Sequence, residues 1–292
     1  MKGPSWLNKK ISLSGCAKVK ARLRGLGLAT VCEEAACPNI GECFAKSVAT
    51  FLILGRVCTR SCAFCGVVKG RPPLPAPDPD EPLRAAEGVS SLGLRHAVIT
   101  SVTRDDLPDG GASEFCATIA AIRRTSPRTK IEVLIPDFGG STLSVKRVAE
   151  AAPDVIAHNV ETVPRLYAAA RRGADYKRSL EVLRTAKEFS GGRPVKSGIM
   201  LGLGEREDEV LKTFRDLAAA GCEFLSIGQY LAPTKNHAPV VEYVTPEKFD
   251  YYKKEALEGG LKFVMSGPYV RSSYLAEEYV RPACAMDKPP KL

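Results

Sequence analysis

Hydrophobic residues recur along this chain in short solid runs separated by longer amphipathic stretches. The run Ala49-Thr50-Phe51-Leu52-Ile53-Leu54 has the length and β-branched content of a buried strand. Further strand candidates are His96–Ser101, Lys130–Ile135, Asp154–Ala157, Pro194–Met200 and Glu223–Gly228. Between or after them the spacing predicts helices over Pro82–Leu92, Ala112–Arg124, Ser141–Ala151, Val163–Arg172 with Ser179–Phe189, Glu205–Ala220 and Pro246–Glu258. Six βα units result, and such alternation implies a parallel sheet with right-handed crossovers. A closed or partly open barrel and a doubly wound sheet both fit it. Polar and glycine-rich residues gather after every strand: the cysteine loop, then 103–111, 136–140, 158–162, 202–205 and 229–233. In a barrel those ends share one face, where active sites are built, and a barrel-like sheet is expected on that basis. Before it, residues 1–45 read as an extension with a short helix from Val19 to Leu26. The stretch Arg71–Pro82 holds six prolines and is expected to lie extended over the surface.

At 292 residues the chain is long enough to bury a large core. Its 45% hydrophobic and 26% charged content are ordinary globular values. The N-terminal residues lack the apolar core of a secretory signal, and the apolar stretch near Val48–Leu54 is far too short to cross a bilayer. A soluble cytosolic protein is expected. The net charge of +9 favours an acidic partner without choosing among protein, nucleic acid and small molecule, and a plain basic surface accounts for it equally.

Ten cysteines change the picture, because six of them cluster. Cys32, Cys37 and Cys43 form one group, and Cys58, Cys62 and Cys65 another, spaced C-x3-C-x2-C. Such clustering suits metal ligation better than disulfides in a reducing compartment. Iron–sulfur cubanes usually take four cysteine thiolates, so a trio leaves one iron open to a further ligand. Structural zinc is the competing reading, but it needs a fourth Cys or His, and the only histidines are His96, His158 and His237. Of the others, Cys116 and Cys222 are expected as small buried hydrophobes, while Cys16 and Cys284 carry no assignment. Gly110 and Gly111 stand between a strand and a helix, where a backbone without Cβ can approach a ligand closely and the helix N-terminus favours a carboxylate, although such a pair alone is more often a plain turn. Asn159 and Glu161 follow the fourth strand, where polar side chains could bond ribose or amino groups of a ligand. His158 beside them is expected to be structural.

The motif Cys58-Thr-Arg-Ser-Cys62-Ala-Phe-Cys65 resembles that of the radical S-adenosylmethionine superfamily. The resemblance implies a [4Fe–4S] cluster whose open iron chelates S-adenosylmethionine and whose electron splits it to a 5′-deoxyadenosyl radical. Phe64 fits the aromatic often found inside that motif. The segment Cys32–Cys43 resembles the second-cluster motif of the lipoyl synthase family. So do the segments 131–138, 158–162, 173–176, 196–205, 229–234 and Ser266–Tyr274, in register from about residue 15 to 280. The family resemblance implies insertion of two sulfur atoms at C6 and C8 of an octanoyl chain amide-linked to a lysine of a carrier protein. The implied carriers are lipoyl domains of 2-oxoacid dehydrogenases and the glycine cleavage H protein. Those carbons are unactivated, so no side-chain base removes their protons and a radical route is required. The resemblance further implies two [4Fe–4S] clusters, the second being the sulfur donor consumed at each turnover. An electron donor such as ferredoxin or flavodoxin and a cluster-repair carrier follow, with no nucleic-acid or membrane partner. It assigns the second cluster's fourth ligand to a serine of Arg271-Ser272-Ser273-Tyr274. Ser273 is the choice, with Ser272 next, and Arg271 is expected either to shield the labile iron or to orient the serine. A serine pair capping a helix over 274–279 is the bland alternative.

The expected fold is therefore α/β: a partial (β/α)6 TIM-like barrel over 48–260. Extensions 1–47 and 261–292 carry the auxiliary cluster's cysteines and serine. Leu275, Glu114 and Glu242 stand where the family often has histidine, histidine and arginine, and none is a proposed iron ligand. A transfer-RNA methylthiotransferase-like reading needs added cluster and RNA-binding domains for which residues 32–43 and the short stretch after Tyr274 leave no room. A biotin-synthase-like reading lacks the first triplet and the serine. A non-catalytic iron–sulfur protein binding nucleic acid calls for aromatics interleaved with the lysines, and aromatics make up only 7%.

Overall fold

The computed structural model describes residues 4–7, 16–34, 37, 39–45, 49–74, 76–274 and 276. Pro75, Leu275, Cys284 and most of the helix expected over 274–279 lie outside them. Helix α1 (Cys16–Gly25), strand β1 (Ala29–Thr30), α2 (Val31–Glu34) and α3 (Ile40–Ala45) come first. Strands β2 (Thr50–Ile53), β3 (Val57–Cys58) and β4 (Val68–Lys69) follow, then α4 (Glu81–Ser91), β5 (His96–Ser101), α5 (Ala112–Thr125) and β6 (Lys130–Leu134). The chain continues through α6 (Thr142–Glu150), β7 (Val155–Ala157), α7 (Tyr167–Ala170), α8 (Tyr176–Phe189) and β8 (Val195–Leu201). It ends with α9 (Glu207–Ala219), β9 (Phe224–Gln229), α10 (Pro246–Glu258) and β10 (Phe263–Gly267).

One sheet runs β1-β2-β5-β6-β7-β8-β9-β10, with β1 antiparallel to β2 and every later pair parallel. From β2 onward its order follows the chain without the reversal that marks a doubly wound sheet, which separates the two architectures the alternation left open. The sheet ends at β1 and β10, so the barrel is partial. Its strands are buried on both faces, as in His96–Thr100 and Val195–Ile199. That explains why they read as solid apolar runs rather than alternating ones.

Each expected strand appears, and so does each expected helix but one, with shifted ends. The stretch expected as a helix over Val163–Arg172 is a 3-10 turn, Pro164–Leu166, followed by the single turn α7. The two-residue pieces β1, β3 and β4 escape any periodicity argument. So did β10, a full parallel partner of β9 lying in the segment expected as a C-terminal extension. The proline-rich stretch carries no regular element before α4, and Arg104 fastens it by donating to the carbonyl of Leu74 at 3.1 Å.

Inside the sheet lies a buried ion pair. Lys196 Nζ donates to Glu132 Oε1 at 2.9 Å, both side chains 0% exposed, and His96 Nε2 stands 3.5 Å from the other oxygen. Burial opposes the Glu132 charge, but Lys196 and His96 hold its carboxyl below the usual range. Cys222 is buried as expected, whereas Cys116 is only half-buried, its thiol turned to the Arg147 carbonyl at 3.5 Å.

Candidate functional site

The Cys58–Cys65 loop leaves β2 through Leu54, whose positive φ of 68° turns the chain sharply. Beyond the two-residue β3 it has no regular structure, yet its backbone is tied down at several points. Thr59 N–H donates to the Thr103 carbonyl at 3.0 Å, and Ala63 N–H to Ala170 at 2.8 Å. Ala238 N–H donates to Ala63 at 2.9 Å, and His237 Nε2 lies 3.1 Å from the Cys65 carbonyl. Phe64 packs among Ala170, Leu203 and Tyr230 at the strand ends.

Burial pushes the Cys62 thiol up to about 11 and raises Cys65 as well, with Cys58 adding to both. Arg171 opposes the shift at Cys62, its guanidinium seated on Tyr167 Oη and Ser179 Oγ at 3.0 and 2.8 Å. A thiol so placed stays protonated until a metal displaces the proton. Arg171 went unnoticed in the sequence, because only the fold brings it beside the cysteines.

The second group assembles across the whole chain. Cys32, Cys37, Cys43, Asn39 and Thr50 line one cavity with Arg271, Ser273 and Tyr274. Asn39 Nδ2 donates to the Tyr269 carbonyl at 2.6 Å, and Tyr274 Oη to Glu42 Oε1 at 3.1 Å, so the two ends are stitched from both sides. Burial pushes the Cys32 thiol up to about 11. Among the described residues no three Cys, His, Asp or Glu side chains converge on one point as the ligands of a single metal ion do. Cysteines that hold a cubane bind separate irons rather than one shared ion, so a cluster does not require three donors to meet at a single point. The donor sets fit: three thiols in one site, three thiols and a hydroxyl in the other.

A neighbouring pocket shares Arg271 with the second group's cavity and is lined by Asn159, Glu161, Gly198, Met200 and Ser272 among others. Asn159 Nδ2 donates to Glu161 Oε1, and Ser272 Oγ to Asn159 Oδ1, both at 3.1 Å. Glu161 holds a positive φ of 67°, a conformation that costs a non-glycine residue about 1–3 kcal/mol. Its backbone is pinned there by Gly198 and Met200 at 3.0 and 2.8 Å. The terminal segment seats against β9 because Gly228 has no side chain: a Cβ there would stand 2.1 Å from the Val270 carbonyl oxygen.

Gly110 and Gly111 have positive φ of 63° and 92°, and added Cβ atoms would meet Phe138 and Leu54. The N–H groups of Gly111 and Ser113 are taken by Asp109 at 2.9 and 2.8 Å, so the chain itself supplies a carboxylate to the start of α5. His158 is buried, its Nδ1 2.8 Å from the Ile135 carbonyl, a structural position.

A family profile described as the Radical SAM superfamily matches residues 52–217. The chain is 56% identical to the lipoyl synthase of Rubrobacter xylanophilus over 281 residues, 96% of this chain and 87% of that one. It is 58% identical to the lipoyl synthase of Geobacter metallireducens over 276 residues, 94% and 96% of the two. Among solved structures, Streptococcus suis SuiB bound to precursor peptide SuiA superposes with a TM-score of 0.57 at 12% identity, covering 91% of this chain and 57% of that one. Methylornithine synthase (PylB) gives 0.51 at 14% identity, covering 74% and 70%. At such identities the two structures speak for the fold alone.

Proposed function

Because the chain belongs to the lipoyl synthase family of the radical SAM superfamily, we propose that its two cysteine groups hold two [4Fe–4S] clusters with different tasks. The reaction is radical insertion of two sulfur atoms, at C6 and C8 of an octanoyl chain carried on a protein lysine. When bound, the clusters supply the electron that splits S-adenosylmethionine and the sulfide that is inserted.

The protein's own residues divide the work. Cys58, Cys62 and Cys65 would hold the cluster that supplies the electron, with Phe64 packing beside the loop against Ala170, Leu203 and Tyr230. Asn159 and Glu161 receive the polar groups of S-adenosylmethionine, and the backbone at Gly110–Gly111 flanks its methionine part. Cys32, Cys37, Cys43 and Ser273 hold the sulfur-donating cluster. A serine oxygen is a harder donor than thiolate, so Ser273 would hold its iron less tightly than the three cysteines hold theirs. Arg271 lines the same cavity and would screen that corner or orient the serine. Met200 and Gly198 border the space between the sites, where an aliphatic chain would lie within reach of both. The carriers are octanoylated lipoyl domains or H protein in the cytoplasm, served by ferredoxin or flavodoxin and a cluster-repair carrier. Among the described residues no helix is long and apolar enough to cross a membrane.

One observation carries this reading: three cysteines from residues 32–43 and Ser273 line one cavity. The test is mass spectrometry of an octanoylated carrier peptide after anaerobic incubation with reductant and S-adenosylmethionine. A mass gain for two sulfurs replacing two hydrogens supports it. A reconstituted chain holding well below about eight irons sinks it.

A further inference from the structure

The motif around Cys58 carries a residue that ligation does not explain. Arg60 sits midway between Cys58 and Cys62, yet its side chain is only 8% exposed. It turns beneath the loop and meets two carboxylates from different strand ends. Toward the loop after β5, Nε and Nη2 donate to Asp105 Oδ2 and Oδ1, both at 2.8 Å. Toward the loop after β6, Nη1 and Nη2 donate to Asp137 Oδ2 and Oδ1 at 2.8 and 2.6 Å.

Asp137 is 0% exposed and is itself held by the Gly139 N–H at 3.1 Å and by Arg178 at 3.3 Å. Burial would raise its pKa, but Arg60 holds it down at about 2. Thr59 extends the arrangement: its Oγ donates to the Thr103 carbonyl at 3.0 Å and accepts from the Asp105 N–H at 3.1 Å. Two arginines and two aspartates balance in charge, so the group is neutral as a unit. Only a guanidinium provides two parallel pairs of donors in one plane; lysine keeps the charge and loses the fork.

We infer that Arg60 is a positioning residue that presets the arc of the Cys58–Cys65 loop, presenting its three thiols before any cluster arrives. The inference rests on the reading of those cysteines as cluster ligands. It adds that the loop's shape is imposed from below by the ends of β5 and β6, and that the Pro136-Asp137-Phe138 segment belongs to the same device. A loop ordered in advance loses less conformational freedom on loading, and it holds its cluster longer.

Two measurements on the whole chain test it. Amide hydrogen exchange across 58–65 is followed in the metal-free protein, and iron loss to a chelator in the reconstituted one. Arg60→Lys should speed both by about tenfold or more, the factor expected from losing a charge-assisted hydrogen bond. Exchange in β5 and β6 should stay unchanged. Equal exchange and equal iron loss in Arg60→Lys and the parent chain would overturn the inference. So would faster exchange throughout the sheet, which would make Arg60 a general stabiliser. If Arg60→Lys does not fold, Asp105→Asn cuts only the outer arm and should show the same local effect in smaller measure; no local effect there counts against the inference. Should the parent chain bind no cluster at Cys58, Cys62 and Cys65, the functional reading fails, whereas the exchange data report on the loop separately.

Discussion

Ser272 donates its hydroxyl to Asn159 Oδ1 at 3.1 Å, and this contact gives two adjacent serines different surroundings. Ser272 is bound into the pocket at the barrel mouth, while Ser273 lines the cavity of Cys32, Cys37 and Cys43. The family resemblance favours Ser273 with Ser272 close behind, and this difference in surroundings supports that order.

Ser273→Ala is expected to abolish sulfur insertion while 5′-deoxyadenosine still forms. Ser272→Ala should keep insertion at a rate lower by about fivefold, the worth of one ordinary hydrogen bond near 1 kcal/mol. Product mass and nucleoside chromatography on the same samples read both. The reverse pattern would move the ligand to Ser272.

Gly228→Ala places a methyl group 2.1 Å from the Val270 carbonyl oxygen in the present geometry. The terminal segment must then leave β9 and take Ser273 with it. Iron in the purified chain should fall from about eight to about four, with the first cluster retained. An unchanged iron content would show that the segment tolerates displacement.

Lys196→Met strands the Glu132 carboxylate in the sheet interior and should cost about 3–5 kcal/mol in denaturant unfolding. Adding Glu132→Leu should recover most of that loss, since an apolar pair needs no charge compensation. If the double variant is as unstable as the single one, the pair is not the source of the effect.

His158 gives a pH dependence with a definite sign. Burial, aided by the Arg171 charge, lowers its pKa from 6.5 to about 3. A depressed value means that its contribution is complete above 6.5 and is lost as pH falls toward 3, at about 1.4 kcal/mol per pH unit. Denaturation between pH 6 and pH 4 should approach this slope, and His158→Gln should flatten it. A slope surviving that change belongs to other groups.

The barrel was legible because its buried parallel strands are continuous apolar runs and its helices have amphipathic spacing. The cysteine groups were legible as local spacings. What escaped notice depends on approach between distant parts. Phe263–Gly267 has a strand's composition, but it lies in the stretch 261–292 expected as a C-terminal extension, and only the fold shows its pairing with β9. Asn39, Glu42 and Arg171 look like ordinary polar residues until the fold sets them against Tyr269, Tyr274 and Cys62. Arg60 carried a faint signal, a lone cation between two thiols, which acquires meaning only once Asp105 and Asp137 are in place.

The stitching of residues 32–43 to 269–274 imposes an order of events during synthesis. Three thiols leave the ribosome long before the serine that shares their cavity, and β10 must join the sheet before that serine can be delivered. On the proposed reading, the thiols of the radical-generating site are therefore all present in a nascent chain well before the sulfur-donating site has its full set of ligands.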